Sequence, residues 1–405
     1  MIWIFKKTLY RLFHRIGKVT LPILPIPVPD LYTGAGSIKK LPEIVKAKGI
    51  NTIFIVTDKG IMEAGLLEGL FTSLKENNIS YTLFDEVQPN PTIDNIEDGL
   101  RLYCANNCEG IIAFGGGSPM DCAKGIAARF ANQKRSVTRM RGLFKVGIGK
   151  KLPPLFAVPT TAGTGSETSV AAVITDAVTH EKFGIADLKL VPPVAVLDPE
   201  LMLGLPPHLT SATGMDALTH AIEAYVGLTG SKFTDENAEK ATRIIFETLE
   251  DVYKDGSNLE KRNDMAMASF YAGTAFTRAS VGYVHAVAHN MGGLYGVPHG
   301  LANAIILPYV LEFYGKKAEK KLSRLALAAG IGNKDDTRGE LSRKFIEKIK
   351  TMNKKMGIPT RIKELQEKDI PLIAERVLYE AHPLYPVPRI MNKKACEDFL
   401  RKLLP

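Results

Sequence analysis

The chain has 405 residues, a formal net charge of +9, and 45% hydrophobic and 23% charged residues. These fractions exclude a disordered or fibrous chain, the length predicts two domains rather than one core, and no apolar run reaches the ~20 residues of a transmembrane helix. The four cysteines are scattered, which excludes a disulfide framework and points to a reducing, cytoplasmic compartment. The excess positive charge sits mainly in residues 1–18 and Lys134–Lys151, and in neither place are aromatic residues interleaved with a base-reading or phosphate-reading pattern, which argues against a nucleic-acid partner.

Residues 1–20 carry Lys6, Lys7, Arg11, Arg15 and Lys18 and no acid, while Ile2, Phe5, Leu9, Leu12, Phe13 and Ile16 recur at helical spacing. This predicts a basic amphipathic helix. Packing against the body of the protein or a partner subunit is the favoured role. A weak membrane-surface contact and a targeting segment are the alternatives. The proline-rich run that follows cannot be helical. Residues 1–30 therefore read as an extension.

From about residue 50 to 200, short apolar runs alternate with helical patterns. Thr52–Thr57, Tyr81–Phe84, Gly110–Phe114 and Leu155–Val158 predict strands, and Thr92–Asn106 and Pro119–Phe130 predict helices. The alternation implies a Rossmann-like parallel sheet covered on both faces, assigned to residues 31–205. Asp58 follows the first of these strands, where a carboxylate can accept hydrogen bonds from a ribose diol and so favour NAD over NADP. Gly115-Gly116-Gly117-Ser118-Pro119-Met120-Asp121 reads as strand, glycine turn and helix start, with Ser118 as N-cap and Asp121 at capping-box spacing. Three consecutive glycines exceed what a turn needs and suit a pyrophosphate at a helix N-terminus. A second turn, Pro159-Thr160-Thr161-Ala162-Gly163-Thr164-Gly165-Ser166-Glu167, offers hydroxyls after a strand. No G-x-G-x-x-G fingerprint is present.

Beyond about residue 205 the pattern becomes helical, with helices predicted over Thr210–Val226, Asp235–Lys254, Lys261–Val281, Val284–Leu294, Leu301–Tyr314, Lys317–Ala329 and Thr337–Met356. Residues 206–405 are assigned to an all-helical domain. Three of the chain's eight histidines, His285, His289 and His299, fall within fifteen residues, and Asp216 and His220 stand four apart upstream. Residues four apart share a helix face, so a carboxylate and imidazoles from separate helices can converge on a divalent transition metal. Spacing alone does not choose between His285 and His289 as ligand. His14, His180, His208 and His382 have no such company and receive no role.

Together, Thr57-Asp58-Lys59-Gly60, Pro89-Asn90-Pro91-Thr92, the glycine turn at 115–121, the turn at 159–167, Asp216-Ala217-Leu218-Thr219-His220 and the His285–His299 segment resemble the iron-containing (group III) alcohol dehydrogenases. The resemblance runs from about Leu31 to the C-terminus. It implies the dehydroquinate synthase-like architecture of that family: an α/β dinucleotide-binding domain and an all-α metal-binding domain. It implies Asp216, His220, His285 and His299 as metal ligands and leaves His289 as a non-ligand for proton relay. It also implies cofactor contacts at Asp58, Asn90, Gly116, Gly117, Ser118, Asp121, Thr160, Thr161, Thr164 and Lys182. The implied partners are NAD, Fe(II) with Zn(II) as competitor, a small alcohol or aldehyde, and a second copy in a homodimer.

The expected reaction is hydride transfer between an alcohol and NAD, with the metal polarising the substrate oxygen. Alternatives are a dehydroquinate synthase-like lyase or glycerol-type dehydrogenase on the same fold, and a non-catalytic nucleotide-binding protein. A lyase acting on a phosphorylated substrate would be expected to carry cationic residues in the helical domain, and none lies near His285.

Overall fold

A computed structural model describes residues 2–179 and 181–405; His180 lies outside the described residues. The chain divides into two compact units: Pro25–Leu205 with Ser257–Ala266, and Met1–Leu24 with Pro206–Gly256 and Met267–Pro405.

The helical unit opens with α1 (Ile2–Thr20). In the α/β unit follow β1 (Asp30–Thr33), α2 (Leu41–Ala47), β2 (Thr52–Val56), α3 (Lys59–Glu63), α4 (Glu68–Glu76), β3 (Ser80–Phe84), α5 (Ile93–Ala105), β4 (Gly110–Gly115) and α6 (Gly117–Ala131). Then come β5 (Gly142–Leu143), β6 (Leu155–Pro159), β7 (Ala171–Asp176), β8 (Glu181–Ala186) and β9 (Val194–Leu197). Six strands form one parallel sheet in the order β1-β9-β6-β4-β2-β3.

The two-residue period of a strand explains why the central strands read as continuous apolar runs. Phe54, Val56, Ile111, Ala113, Leu155 and Ala157 face one core with Ile96, Tyr103, Met120 and Ile126 of α5 and α6. Their neighbours Ile53, Ile55, Ile112, Phe114, Phe156 and Val158 face the other, with Leu41, Val45, Leu70 and Leu74 of α2 and α4. The helices α5 and α6 approach closely because each lodges an isoleucine over a glycine of the other. A Cβ on Gly99 would lie 2.4 Å from Ile126 Cδ1, and one on Gly125 would lie 2.5 Å from Ile96 Cδ1.

From β2 the chain passes to β3 on one side and then to β4 on the other. The order therefore reverses between β2 and β4, and ligands of open α/β sheets bind outside the carboxyl ends of strands at such a point. Those ends lead into Asp58, Gly115–Gly117 and Thr160–Thr164. A small second sheet, β5-β8-β7, pairs β7 and β8 antiparallel with Thr175 opposite Lys182. This hairpin, β1 and β9 have no counterpart among the sequence-predicted strands.

The remaining helices are α7 (Pro207–Val226), α8 (Lys232–Lys254), α9 (Leu259–Ala279), α10 (Tyr283–Tyr295), α11 (His299–Tyr314), α12 (Glu319–Ala328), α13 (Arg338–Lys355), α14 (Ile370–Ala381) and α15 (Lys393–Arg401). Residues 257–266, expected in the helical domain, count with the α/β unit. There Arg262 donates to the Leu205 carbonyl at 3.1 Å and Asn263 accepts from Thr33 Oγ1 at 3.1 Å.

The amphipathic α1 does not pack by its apolar face. Its covered side is held by hydrogen bonds and a ring contact: Arg11 donates to the carbonyls of Val387 and Pro388, both at 2.7 Å, His14 Nε2 donates to that of Pro383 at 2.9 Å, and the Tyr10 and His382 ring centroids lie 4.8 Å apart. Gly17 admits Thr229, whose Cγ2 would stand 3.3 Å from a Cβ there. Among the described residues no helix is long and apolar enough to cross a membrane.

Candidate functional site

In the α/β unit the glycine turn differs from its sequence reading. Gly115 takes φ +141°, in a region L side chains rarely adopt, and the chain turns so tightly that α6 begins at Gly117. The N-cap is Gly116, not Ser118, and no side chain caps the helix. The first-turn N–H groups of this fifteen-residue helix are thus capped by no serine or aspartate side chain.

Ser118 instead uses its Oγ to accept from the Asn90 N–H at 3.2 Å, and Asn90 Oδ1 accepts from Lys182 Nζ at 2.6 Å. Asn90 itself sits at φ +60°, a conformation that asparagine tolerates better than most residues. The structure therefore gathers Asn90, Ser118 and Lys182, which belong to three separate segments of the sequence. Burial lowers the Lys182 pKa, against the attraction of Asp121.

Asp121 has both carboxylate oxygens engaged within the protein. Oδ1 accepts from Ser166 Oγ at 2.8 Å and Oδ2 from the Val173 N–H at 2.9 Å. It ties α6 to the second turn and to β7. Gly117 leaves room for Thr164, whose Cγ2 would stand 2.9 Å from a Cβ there, and Thr160 N–H donates to the Gly115 carbonyl at 3.0 Å. Thr164 Oγ1 accepts from the Ser166 N–H at 3.3 Å, and Thr161 approaches the Gly116 position. Asp58 caps α3, accepting from the Ile61 N–H at 3.0 Å through Oδ1. That cap uses only one of its two carboxylate oxygens.

One residue here escaped the sequence reading. Lys124 is fully buried, with Nζ 2.6–3.0 Å from oxygens of Ser166, Ser169 and Ala171. Burial lowers its pKa to about 8, opposed by Asp121 and Glu167. The signal was a lysine three residues after Asp121, set among the apolar residues Cys122, Ala123, Ile126 and Ala127.

In the helical unit, α7 presents Asp216, His220 and Glu223 along one face. Helix α10 brings His285 and His289, and α11 begins at His299. Asp216, His220 and His285 are buried, and one potential ligand atom from each lies within 4.8 Å of the others. His299 Nε2 stands 3.6 Å from Asp216 Oδ1, and His285 Nε2 stands 3.7 Å from it. The rings of His220 and His285 stack at 4.4 Å, and Phe276 stacks on the far side of His220 at 4.2 Å.

The protonation states suit a cation. Burial, then the neighbouring His289, lowers the His285 pKa to about 3, so its ring is neutral. Its Nδ1–H donates to Glu223 Oε2 at 2.7 Å, which leaves Nε2 as the lone-pair nitrogen, buried and without a hydrogen-bond partner. Burial raises the Asp216 pKa to about 7, opposed by a 2.5 Å hydrogen bond from Asn303 Nδ2. A divalent ion would complete the His285 nitrogen and offset the desolvation of Asp216, so the residues fit one.

His289 is placed differently. Its Nδ1 meets Glu380 Oε1 at 2.7 Å, and the same oxygen accepts from the half-buried Tyr385 hydroxyl at 2.8 Å. Its ring stacks on His299 at 5.2 Å.

Three partners escaped the sequence reading. Glu223 accepts the N–H groups of Gly282 and Val284, each at 2.8 Å, besides that of His285. Asn303 bridges Asp216 and His299, and Glu380 holds His289. Glu223 had a signal: Asp216, His220 and Glu223 recur at i, i+4 and i+7. Asn303, four residues after His299, had a weaker one. Glu380, 91 residues beyond His289, had none.

Comparison with known proteins bears on both units. The family model described as "Iron-containing alcohol dehydrogenase" matches residues 29–199, and "Fe-containing alcohol dehydrogenase family, C-terminal" matches residues 210–404. The chain is 40% identical over 358 residues to alcohol dehydrogenase 4 of Saccharomyces cerevisiae, covering 87% of this chain and 91% of that protein. It is 35% identical to the NAD-dependent methanol dehydrogenase of Bacillus methanolicus, covering 86% of this chain and 91% of that one. The crystal structure of a 1,3-propanediol oxidoreductase superposes with a TM-score of 0.89 at 37% identity, covering 93% of this chain and 98% of that one.

The carboxylate that orients His285 generates a prediction. Replacing Glu223 with alanine releases the imidazole and leaves two buried N–H groups without an acceptor. Affinity for Zn(II) or Fe(II), measured by competition with a chelator, should fall ~10–100-fold, with the Glu223→Gln variant retaining more of it. Unchanged affinity in a folded Glu223→Ala variant would leave Glu223 a purely structural residue.

Proposed function

The chain belongs to the iron-containing alcohol dehydrogenase family, and we propose on that premise which of its residues carry the reaction. It is an NAD-dependent, metal-dependent oxidoreductase that interconverts an alcohol and its aldehyde or ketone. We assign the metal ligands to Asp216, His220, His285 and His299, with Fe(II) as the ion and Zn(II) able to use the same donors. The observation that carries this assignment is the buried, partnerless Nε2 of His285 facing the Asp216 carboxylate. When bound, the metal polarises the substrate oxygen, while NAD gives or takes the hydride.

The chain's own residues supply orientation and proton handling. Glu223 sets the tautomer of His285, and Asn303 steadies Asp216. His289, anchored at Nδ1 by Glu380, presents Nε2 to take the proton released when an alcohol is oxidised and to return it in the reverse direction. In the α/β unit, the uncapped N-terminus of α6 and Gly116–Gly117 take the pyrophosphate, with Asn90, Ser118, Thr160, Thr161, Thr164 and Lys182 around it. Asp121 acts by holding the second turn rather than by touching the nucleotide. Asp58 takes the ribose hydroxyls. We further propose a cytoplasmic location, supported by four free cysteines, and a homodimer, supported by family resemblance alone.

The direct test is metal analysis combined with an alcohol and aldehyde panel run in both directions. Chelation should abolish turnover and Fe(II) should restore it, while His285→Ala and Asp216→Ala should lack both metal and turnover. Full metal occupancy in either variant would overturn the ligand assignment.

His289→Ala should keep its metal while kcat falls ~10²–10⁴-fold, the usual contribution of a general acid–base. The pH–rate profile should lose an ionisation, and small external bases should recover part of the rate. Loss of metal in this variant would make His289 a ligand.

NAD should be preferred over NADP, because a 2′-phosphate beside Asp58 meets a like charge. Asp58→Gly should relax that preference. As an N-cap replacement, glycine costs only a few tenths of a kcal/mol, so the variant stays folded and kcat/KM for the two cofactors reads the effect directly. A wild type that uses NADP better would refute the role of Asp58.

A further inference from the structure

The helix α1 is held to the protein from the side opposite to its apolar stripe. Trp3, Tyr10, Arg11, His14 and Gly17 form the covered side, with His14 buried and Arg11 engaged at two carbonyls. Phe5, Leu9, Leu12, Ile16 and Val19, spaced alternately four and three residues apart, make the opposite stripe, and Phe13 edges it. These six side chains are between 42% (Phe13) and 73% (Phe5) exposed. A stripe of this composition facing water is costly, and nothing in the described chain covers it.

Charge says what does. Residues 1–29 contain five basic side chains and no acid. Lys6 and Arg15 lie on the two flanks of the stripe by helical spacing, and they and the further bases Lys7 and Lys18 are exposed. An apolar face bordered by cations is what an anionic bilayer surface accepts: the stripe enters the headgroup–acyl boundary and the bases meet lipid phosphates. A second copy of the chain would bring the same positive charge to the contact and repel. The family match begins only at residue 29, so α1 lies outside it.

We propose that α1 is a docking helix for anionic membrane surfaces, rigidly attached to the enzyme through Arg11 and His14, with Phe5, Leu9, Leu12, Phe13, Ile16 and Val19 as the inserting face. The proposal is independent of the ligand assignments.

The full chain is tested by flotation with phosphatidylcholine vesicles, with and without one part in four of phosphatidylglycerol. Wild type should float with the anionic vesicles, bind neutral ones far more weakly, and lose binding as salt is raised. Leu9→Ser, Leu12→Ser and Ile16→Ser should each weaken binding on the order of tenfold. Lys6→Glu and Arg15→Glu should each weaken it roughly fivefold or more. Turnover of a dissolved alcohol and the thermal midpoint should be unchanged in all of them, which shows that the variants fold. Equal binding to neutral and anionic vesicles, or none to either, overturns the proposal. So does a wild type whose mass in sedimentation is halved by Leu12→Ser while no vesicle is bound, because the stripe is then covered by a second copy.

Discussion

Two carboxylates on one buried helix face, Asp216 and Glu223, set the terms for the helical unit. Helix α7 is otherwise apolar through most of its length, and desolvating a carboxylate there opposes its ionisation. Burial drives both groups up to about 7. Glu223 is stabilised by donors the fold provides: two backbone N–H groups at the start of α10 and the His285 ring. Asp216 has one strong donor, Asn303, and a set of imidazole nitrogens facing it. Glu223 fixes a ring, and Asp216 faces the buried imidazoles, where a cation would offset its desolvation. Removing either would leave buried polar groups that nothing nearby can satisfy. The start of α10 at Tyr283, the rotamer of His285 and the position of Asn303 all follow from that pair.

The α/β unit solves a similar problem with the signs mixed. Lys124 and Glu167 are buried beside the half-buried Asp121, and the Lys124 ammonium is surrounded by oxygens of Ser166, Ser169 and Ala171. The cluster binds the turn after β6 to α6 and so fixes where Thr160–Thr164 stand beside Gly117. A glycine-rich turn is useful for an anion only if its backbone N–H groups are held in place, and here the restraint comes from behind the turn, out of solvent.

What the sequence disclosed follows from which interactions are local. Asp216 and His220 were legible because a helix places i and i+4 on one face, and the central strands because a strand buried on both faces reads as an unbroken apolar run. The β7–β8 hairpin was not legible, since its burial is partial and irregular. The start of α6 was misplaced by two residues because Ser118-Pro119 is a good local cap. The tight turn that Gly115 makes at positive φ outweighed it. Glu380 and the gathering of Asn90, Ser118 and Lys182 depend on residues brought together across long stretches of chain, which no spacing rule reaches. Spacing leaves His285 and His289 equivalent; in the structure His285 joins Asp216 and His220 in one buried group, while His289 pairs with Glu380.

The extension shows the limit of amphipathicity as a signal. Periodicity established that α1 has an apolar face, and packing against the protein was the natural use for it. The structure turns the helix over. A guanidinium and an imidazole contribute to the attachment because the segment between α14 and α15, around Pro383 and Val387–Pro388, offers them carbonyl oxygens. Burial also lowers the His14 pKa, which favours the neutral ring that still donates through Nε2–H. A helix attached by directional hydrogen bonds holds a defined rotation about its axis, whereas one attached by an apolar stripe can slip. Its outward face is therefore presented at a fixed angle, as a recognition surface requires.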